Sequence, residues 1–167
     1  NWRMHIPYNK GVQVAEDYQG RIYCATQFGM FSYNKSNGEF DYFTTLNGLS
    51  DNEISNIRLD HTTKILLNTY LNSNIDIILP DKTIINLPDI KQKSIVGGKK
   101  INSITFIDGR AYLGCEFGIV IIDLNKQEVK DTYFIGPNSS NINVTDVAYN
   151  GTDIIATTET GIYKANF

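Results

Sequence analysis

Few side chains in this chain are of types that carry out reactions, and their spacing does not bring them together. The two histidines are His5 and His61. A metal site needs further imidazoles, thiolates or carboxylates converging on one point. A Ser-His-Asp centre needs its nucleophile on a sharp strand-to-helix turn. Neither pattern occurs around either histidine, so both read as structural or solvated. Cys24 and Cys115 are the two cysteines, too far apart for a zinc pair and too few for a disulfide framework. They read as small, semi-buried residues. The expectation is a protein that is not an enzyme and holds no metal and no cofactor.

Binding is a better use for the residues that remain. Gln27, Glu116 and Glu159 each stand shortly before a glycine of a repeated phrase, and Phe28 and Phe117 follow two of them. Side chains at an equivalent position in successive repeats can line one face and make polar contacts there. They can equally be satisfied by neighbouring backbone N–H groups, which is how most buried polar groups end. Ten tyrosines and eight phenylalanines suggest carbohydrate stacking, since aromatic faces are large and rigid. Most of them recur at strand positions and read as core. Phe28 and Phe117 differ, because they fall at a turn. Gln27, Phe28, Glu116, Phe117 and Glu159 are therefore the candidate ligand-binding residues.

The elements that must position them are written four times. Arg21-Ile-Tyr-Cys-Ala-Thr-Gln-Phe-Gly29, Lys64-Ile-Leu-Leu-Asn-Thr-Tyr-Leu-Asn-Ser73, Arg110-Ala-Tyr-Leu-Gly-Cys-Glu-Phe-Gly118 and Asp153-Ile-Ile-Ala-Thr-Thr-Glu-Thr-Gly161 are copies of one phrase. Their last residues are 44, 45 and 43 positions apart. A repeat of that length built from short strands marks a β-propeller blade. Each copy opens with an alternating strand and turns at Gln19-Gly20, His61-Thr62-Thr63, Asp108-Gly109 or Asn150-Gly151. Asp-Gly and Asn-Gly suit the positive φ of a tight hairpin. The quoted strand follows, then a turn into a third strand, then an outer strand. The second copy has Asn72-Ser73 in place of the glycine and carries an extra residue there. The spacing predicts an all-β chain of β-propeller blades, each of four antiparallel strands. They span approximately residues 12–53, 54–100, 101–143 and 144–167 of a single propeller. Trp2 to Tyr8 reads as a spare N-terminal strand, and the fourth copy stops after three strands. About four blades are present, as part of a larger propeller.

Composition narrows the function classes. Of 167 residues, 41% are hydrophobic and 20% charged, an ordinary globular balance. A net charge of −3 gives no reason to expect nucleic acid. The basic stretch from Lys91 to Lys100 is interrupted by Val96-Gly97-Gly98 and reads as a solvated loop between blades. No apolar run approaches the roughly 18 residues of a membrane span.

Asn47-Gly-Leu-Ser-Asp-Asn52, with Glu16-Asp17-Tyr-Gln-Gly20, Ala25-Thr26-Gln-Phe-Gly29 and Phe31-Ser-Tyr33, resembles the two-component regulator propeller blade of Bacteroidetes. Trp2-Arg-Met-His5 with Tyr8, Ile22-Tyr-Cys-Ala25, Met30-Phe-Ser-Tyr-Asn-Lys-Ser36 and Asn74-Ile-Asp-Ile-Ile78 resemble the first propeller of PorZ-type proteins. That resemblance implies a periplasmic or outer-membrane surface protein serving type IX secretion, of which this chain is an N-terminal piece. It implies a non-catalytic binding or scaffold role in attaching cargo. Its partners would be proteins of a secretion or signalling complex and a surface glycan or lipopolysaccharide, with self-association of the isolated piece. The alternative is the periplasmic oligosaccharide-sensing propeller of a hybrid two-component regulator.

Overall fold

The computed structural model describes residues 10–16 and 20–166. The expected strand Trp2 to Tyr8, with His5, lies outside the described residues. Strands form where β-branched and aromatic residues alternate with polar ones, and they stop at Gly, Asn and Asp. The first sheet runs β1 (Gly11–Glu16), β2 (Arg21–Thr26), β3 (Gly29–Asn34) and β4 (Phe40–Phe43). The second holds β5 (Ile54–Leu59), β6 (Leu66–Tyr70), β7 (Ile75–Ile78) and β8 (Ile84–Leu87). The third holds β9 (Ile101–Ile107), β10 (Arg110–Cys115), β11 (Gly118–Asp123) and β12 (Glu128–Tyr133). The fourth holds β13 (Val144–Tyr149), β14 (Asp153–Thr158) and β15 (Gly161–Asn166). In each sheet the spatial order is the sequence order. Consecutive strands joined by short hairpins leave no other economical pairing. The chain is all-β with propeller-type blades. Among the described residues the helical content is one turn, α1 (Asp89–Gln92), and a 3-10 turn at Pro137–Ser139.

The hairpins follow from turn chemistry. Asp108 and Gly109 both hold positive φ, at 46° and 73°, as a two-residue hairpin of matching twist requires. The second sheet replaces this with a longer loop. There the Asp60 carboxylate accepts from the Thr62 and Thr63 amides. In the second copy of the repeat, the Tyr70 amide donates to the Asn74 carbonyl across three residues. Ser73, at φ 66°, takes the left-handed position. The extra residue is thus housed by one left-handed serine.

A feature shared by all four sheets is a β-bulge at the start of the innermost strand. The register shifts between Gly11 and Gln13, between Ile54 and Asn56, opposite Gly114 and Cys115, and between Val144 and Asp146. A bulge re-aims side chains and increases local twist. Its recurrence makes the inner strands interchangeable in geometry although their sequences differ.

The chain divides into two compact units at the end of β8. In the first, Met30, Ile57, Leu66 and Tyr70 centre a core between sheets one and two. The Gln13 side-chain oxygen accepts the Ile57 amide at 2.9 Å and ties the two inner strands together. In the second, Tyr112, Ile119, Ile121, Val144 and Val147 form the core between sheets three and four. Thr105 Oγ1 donates to the Val147 carbonyl at the corresponding seam.

Candidate functional site

The turn between second and third strands is held in the same way in three blades. The Gln27 amide donates to the Lys10 carbonyl, that of Leu71 to Glu53, and that of Glu116 to Lys100, at 3.2, 2.9 and 3.0 Å. Each turn is thereby pinned to the residue preceding the inner strand. Lys10 and Glu53 reach that carbonyl geometry through positive φ, 58° and 61°. In the first unit this end of the sheets gathers Gln27, Phe28, Glu53 and Leu71. The Gln27 amide group donates to Glu53 Oε1 at 3.4 Å, and the Ile54 amide donates to the Gln27 carbonyl. Phe28 stands beside this pair with 41% of its surface exposed, and Leu71 is similarly exposed. The result is a small surface with an aromatic ring, an aliphatic side chain and a carboxylate–amide pair.

Glu116, Phe117 and Glu159 belong to the second unit. Glu116 Oε2 accepts the Lys100 amide at 3.0 Å, a backbone partner of the kind expected for a repeated polar position. A Cβ at Gly98 would overlap this carboxylate, which explains a glycine there. Phe117 is fully buried and packs tilted against Phe134 with ring centroids 6.2 Å apart. It offers a ligand no surface while that turn is closed. Glu159 is exposed on the β14–β15 turn, which Thr158 closes by donating from Oγ1 to the Gly161 carbonyl. Gln27 and Phe28 thus share one surface, while the other three lie on two turns of the second unit.

Asp76 is a lone acid within the apolar strand Ile75–Ile78, and a network of donors surrounds it. It is fully buried. Its carboxylate accepts from the Tyr70 hydroxyl, the Ser50 amide and the Asn86 amide group. Asp51, next to Ser50, accepts from Asn72 Nδ2. The Asn47–Asn52 loop is therefore clasped onto the second sheet through two carboxylates. Burial, then the bond to Asp76, drives the Tyr70 hydroxyl above the usual tyrosine range. The signal available beforehand was the interruption of Ile75–Ile78 by a charge, since an acid in such a strand must be hydrogen-bonded.

The remaining chemistry-bearing residues stay apart. His61 is exposed in its turn. Both cysteines are free, and burial pushes the Cys115 thiol up to about 12. Among the described residues, no group of three His, Cys, Asp or Glu converges on a metal position. A cavity of about 660 Å³ in the second unit lies between β10–β12 and β14–β15, with Tyr112, Ile121, Phe134 and Ile154 in its walls. In the same unit the fourth sheet has three strands among the described residues, where each of the other sheets has four.

Comparison with known proteins places this geometry. Residues 22–167 match the family described as "TSS9, PorZ, N-terminal beta-propeller domain". No curated protein matches the chain. Among solved structures, PorZ, a surface component of the type IX secretion system of Porphyromonas gingivalis, is similar at TM-score 0.83 and 24% identity. The match covers 94% of this chain and 20% of that one. The extracellular domain of a hybrid two component system from B. thetaiotaomicron matches at TM-score 0.71 and 15% identity, over 95% of this chain and 21% of that one. A second such domain from the same organism matches at 0.67 and 22%, over 98% and 23%. The chain therefore spans about a fifth of the length of each, and the structural likeness concerns the fold.

Proposed function

The chain belongs to the PorZ N-terminal β-propeller family, and from that premise we propose that it is a non-catalytic binding propeller of a surface or periplasmic protein that serves type IX secretion. It is part of a larger propeller, consistent with the share of the similar chains that it spans. Its work is to hold a partner of the secretion complex, or the glycan to which cargo is attached. The observation that carries a binding role is the turn end of the first unit. There Phe28 and Leu71 are exposed around the Gln27–Glu53 pair. Loop ends carried by a rigid β scaffold are where binding residues concentrate, and an exposed aromatic ring supplies contact area at low entropic cost. Glu116 and Glu159 extend the same role to turns of the second unit.

The test is made in the full-length protein of a type IX-secreting bacterium. Phe28→Ser and Leu71→Ser together should release secreted cargo into the medium while the protein itself is exported and folded. Unchanged cargo retention would overturn the assignment of this surface. The likeness to two hybrid two component extracellular domains supports a second reading, an oligosaccharide sensor. Under that reading an oligosaccharide would change the protein's phosphorylation output, and cargo retention would not depend on it. The isolated chain also associates with itself, through apolar sheet faces that expose Val14, Phe40 and Tyr42.

A further inference from the structure

Asn68, at the centre of β6, has a fully buried side-chain amide. Among the described residues neither its nitrogen nor its oxygen has a hydrogen-bond partner. Its buried neighbours Thr69, Asn74 and Asp76 are all bonded. An amide taken out of water without a partner is costly, so buried polar groups pair with protein or with ordered water. We infer that the Asn68 amide holds an internal water, which bridges it to the Asp76 carboxylate on the adjoining strand.

The register brings the two side chains together. Asn68 lies opposite Asp76 across β6–β7 and opposite Ile57 across β5–β6. Residues directly opposite share a face, with Cβ atoms about 4.5–5.5 Å apart. Leu66 and Tyr70, two positions away along β6, are on that face too, and it packs on Met30 and Phe43 of sheet one. The Asp76 carboxylate leans toward Tyr70, whose hydroxyl it accepts together with the Ser50 amide on Oδ2. This turns it out of direct reach of Asn68. Its Oδ1 accepts from Asn86 Nδ2, and a carboxylate oxygen has capacity for a second donor. The bridging ligand must therefore accept from an amide N–H and donate to a carboxylate. A cation fails that requirement, because the Tyr70, Ser50 and Asn86 donors already point at Asp76. A neutral molecule that both donates and accepts meets it, and in a core packed to ordinary density only water is small enough. The water accepts from Asn68 Nδ2 and donates to Asp76 Oδ1, at little cost relative to a direct bond. It joins the centre of the second sheet to the carboxylate that clasps the Asn47–Asn52 loop.

The test is magnetisation transfer between water and the Asn68 side-chain amide protons in the isotopically labelled chain. A long-held water gives NOE and ROE cross-peaks of opposite sign at those protons, which solvent exchange does not. Asn68→Leu keeps the branching and fills the water's place with a methyl group. It should abolish water cross-peaks at the neighbouring β6 and β7 protons with the circular dichroism unchanged. A crystal structure should show density within hydrogen-bonding distance of both Asn68 Nδ2 and Asp76 Oδ1, a readout that stands even where the leucine variant does not fold. Absent cross-peaks at Asn68 in the folded wild type would overturn the site. So would a crystal structure in which the Asn68 amide bonds protein groups alone. These readouts do not involve Phe28 or Leu71, so failure here and failure of the cargo-retention experiment are separable.

Discussion

Asp76 and Asp41 are two carboxylates on neighbouring sheets whose surroundings give them opposite tasks. Asp76 is buried and gathers donors from three segments. Its replacement by alanine leaves the Tyr70 hydroxyl and the Ser50 amide without an acceptor. The Tyr70 bond is buried and the Ser50 bond only partly so; a stranded buried donor costs about 1–3 kcal/mol, so Asp76→Ala should lower unfolding stability by about 2–3 kcal/mol. Tyr70→Phe, which removes one bond and strands nothing but the acceptor, should cost about 1 kcal/mol. Urea denaturation of the two variants checks the order, and equal losses would refute it. Asp41 is half-exposed, and the Lys82 ammonium, with Arg21 behind it, outweighs desolvation and holds its carboxyl below the usual range. In the unfolded chain the group protonates near the ordinary value of about 3.9. The unfolded state therefore binds the proton first as the pH falls. Asp41 contributes stability above that value and loses it as the pH drops toward the folded pKa. Asp41→Asn should flatten the acid limb of the stability–pH curve below about pH 4 and change little of its shape at pH 7. An unaltered acid limb would show that the two cations are not coupled to this carboxylate.

The strands themselves were legible because period-two alternation and Asn-Gly or Asp-Gly turns are local signals, readable without knowing what packs where. The repeated bulge was not, since one unpaired residue at a strand's first turn leaves the alternation downstream intact. Phe28 and Phe117 show the same limit for the site. Both follow Gln or Glu in one phrase, yet one is exposed and the other buried. The difference comes from the segment after the outer strand, which is Thr44-Thr45 in the first unit and Phe134-Ile135 in the second. An aromatic neighbour draws Phe117 in, and a threonine pair gives Phe28 no such ring to pack against. Gly118 and Gly161 provide an element-scale test of the same idea. Their φ values match, 148° and 149°, so the backbone strain of an alanine is the same at both. At Gly118 a Cβ would overlap the Tyr133 carbonyl of the adjoining outer strand, whereas nothing lies within 4 Å at Gly161. Gly118→Ala should therefore cost more than Gly161→Ala by about 1–3 kcal/mol, the range for forced overpacking. Thermal unfolding with matched losses would mean that the outer strand yields freely.

At the scale of the whole molecule, each unit carries an apolar sheet face that its own partner sheet does not cover. On the first, Phe31 lies opposite Tyr42 and Tyr33 opposite Phe40 in the β3–β4 register. The Phe40 ring contacts Tyr33, Phe31 and Tyr42 at 4.9, 6.1 and 6.2 Å between centroids. Val14, 63% exposed, belongs to the β1 side of the same sheet. On the second unit Ile162 is 74% exposed on β15, whose outer edge has no partner among the described residues. Blade faces of this kind pack on a neighbouring blade, as sheet one packs on sheet two through Met30 and Ile57. A contiguous apolar patch, and a strand edge without a partner among the described residues, are each a template for another chain. The 167-residue chain at micromolar concentration should therefore sediment as a dimer or larger species. Val14→Lys with Tyr42→Lys places charges on the first unit's face, where their desolvation on association is costly. The double variant should shift toward monomer with its strand content unchanged. A wild-type chain that stays monomeric throughout that concentration range would show that these faces are satisfied within one copy. Loss of strand content in the variant would instead mark them as part of the fold's own core.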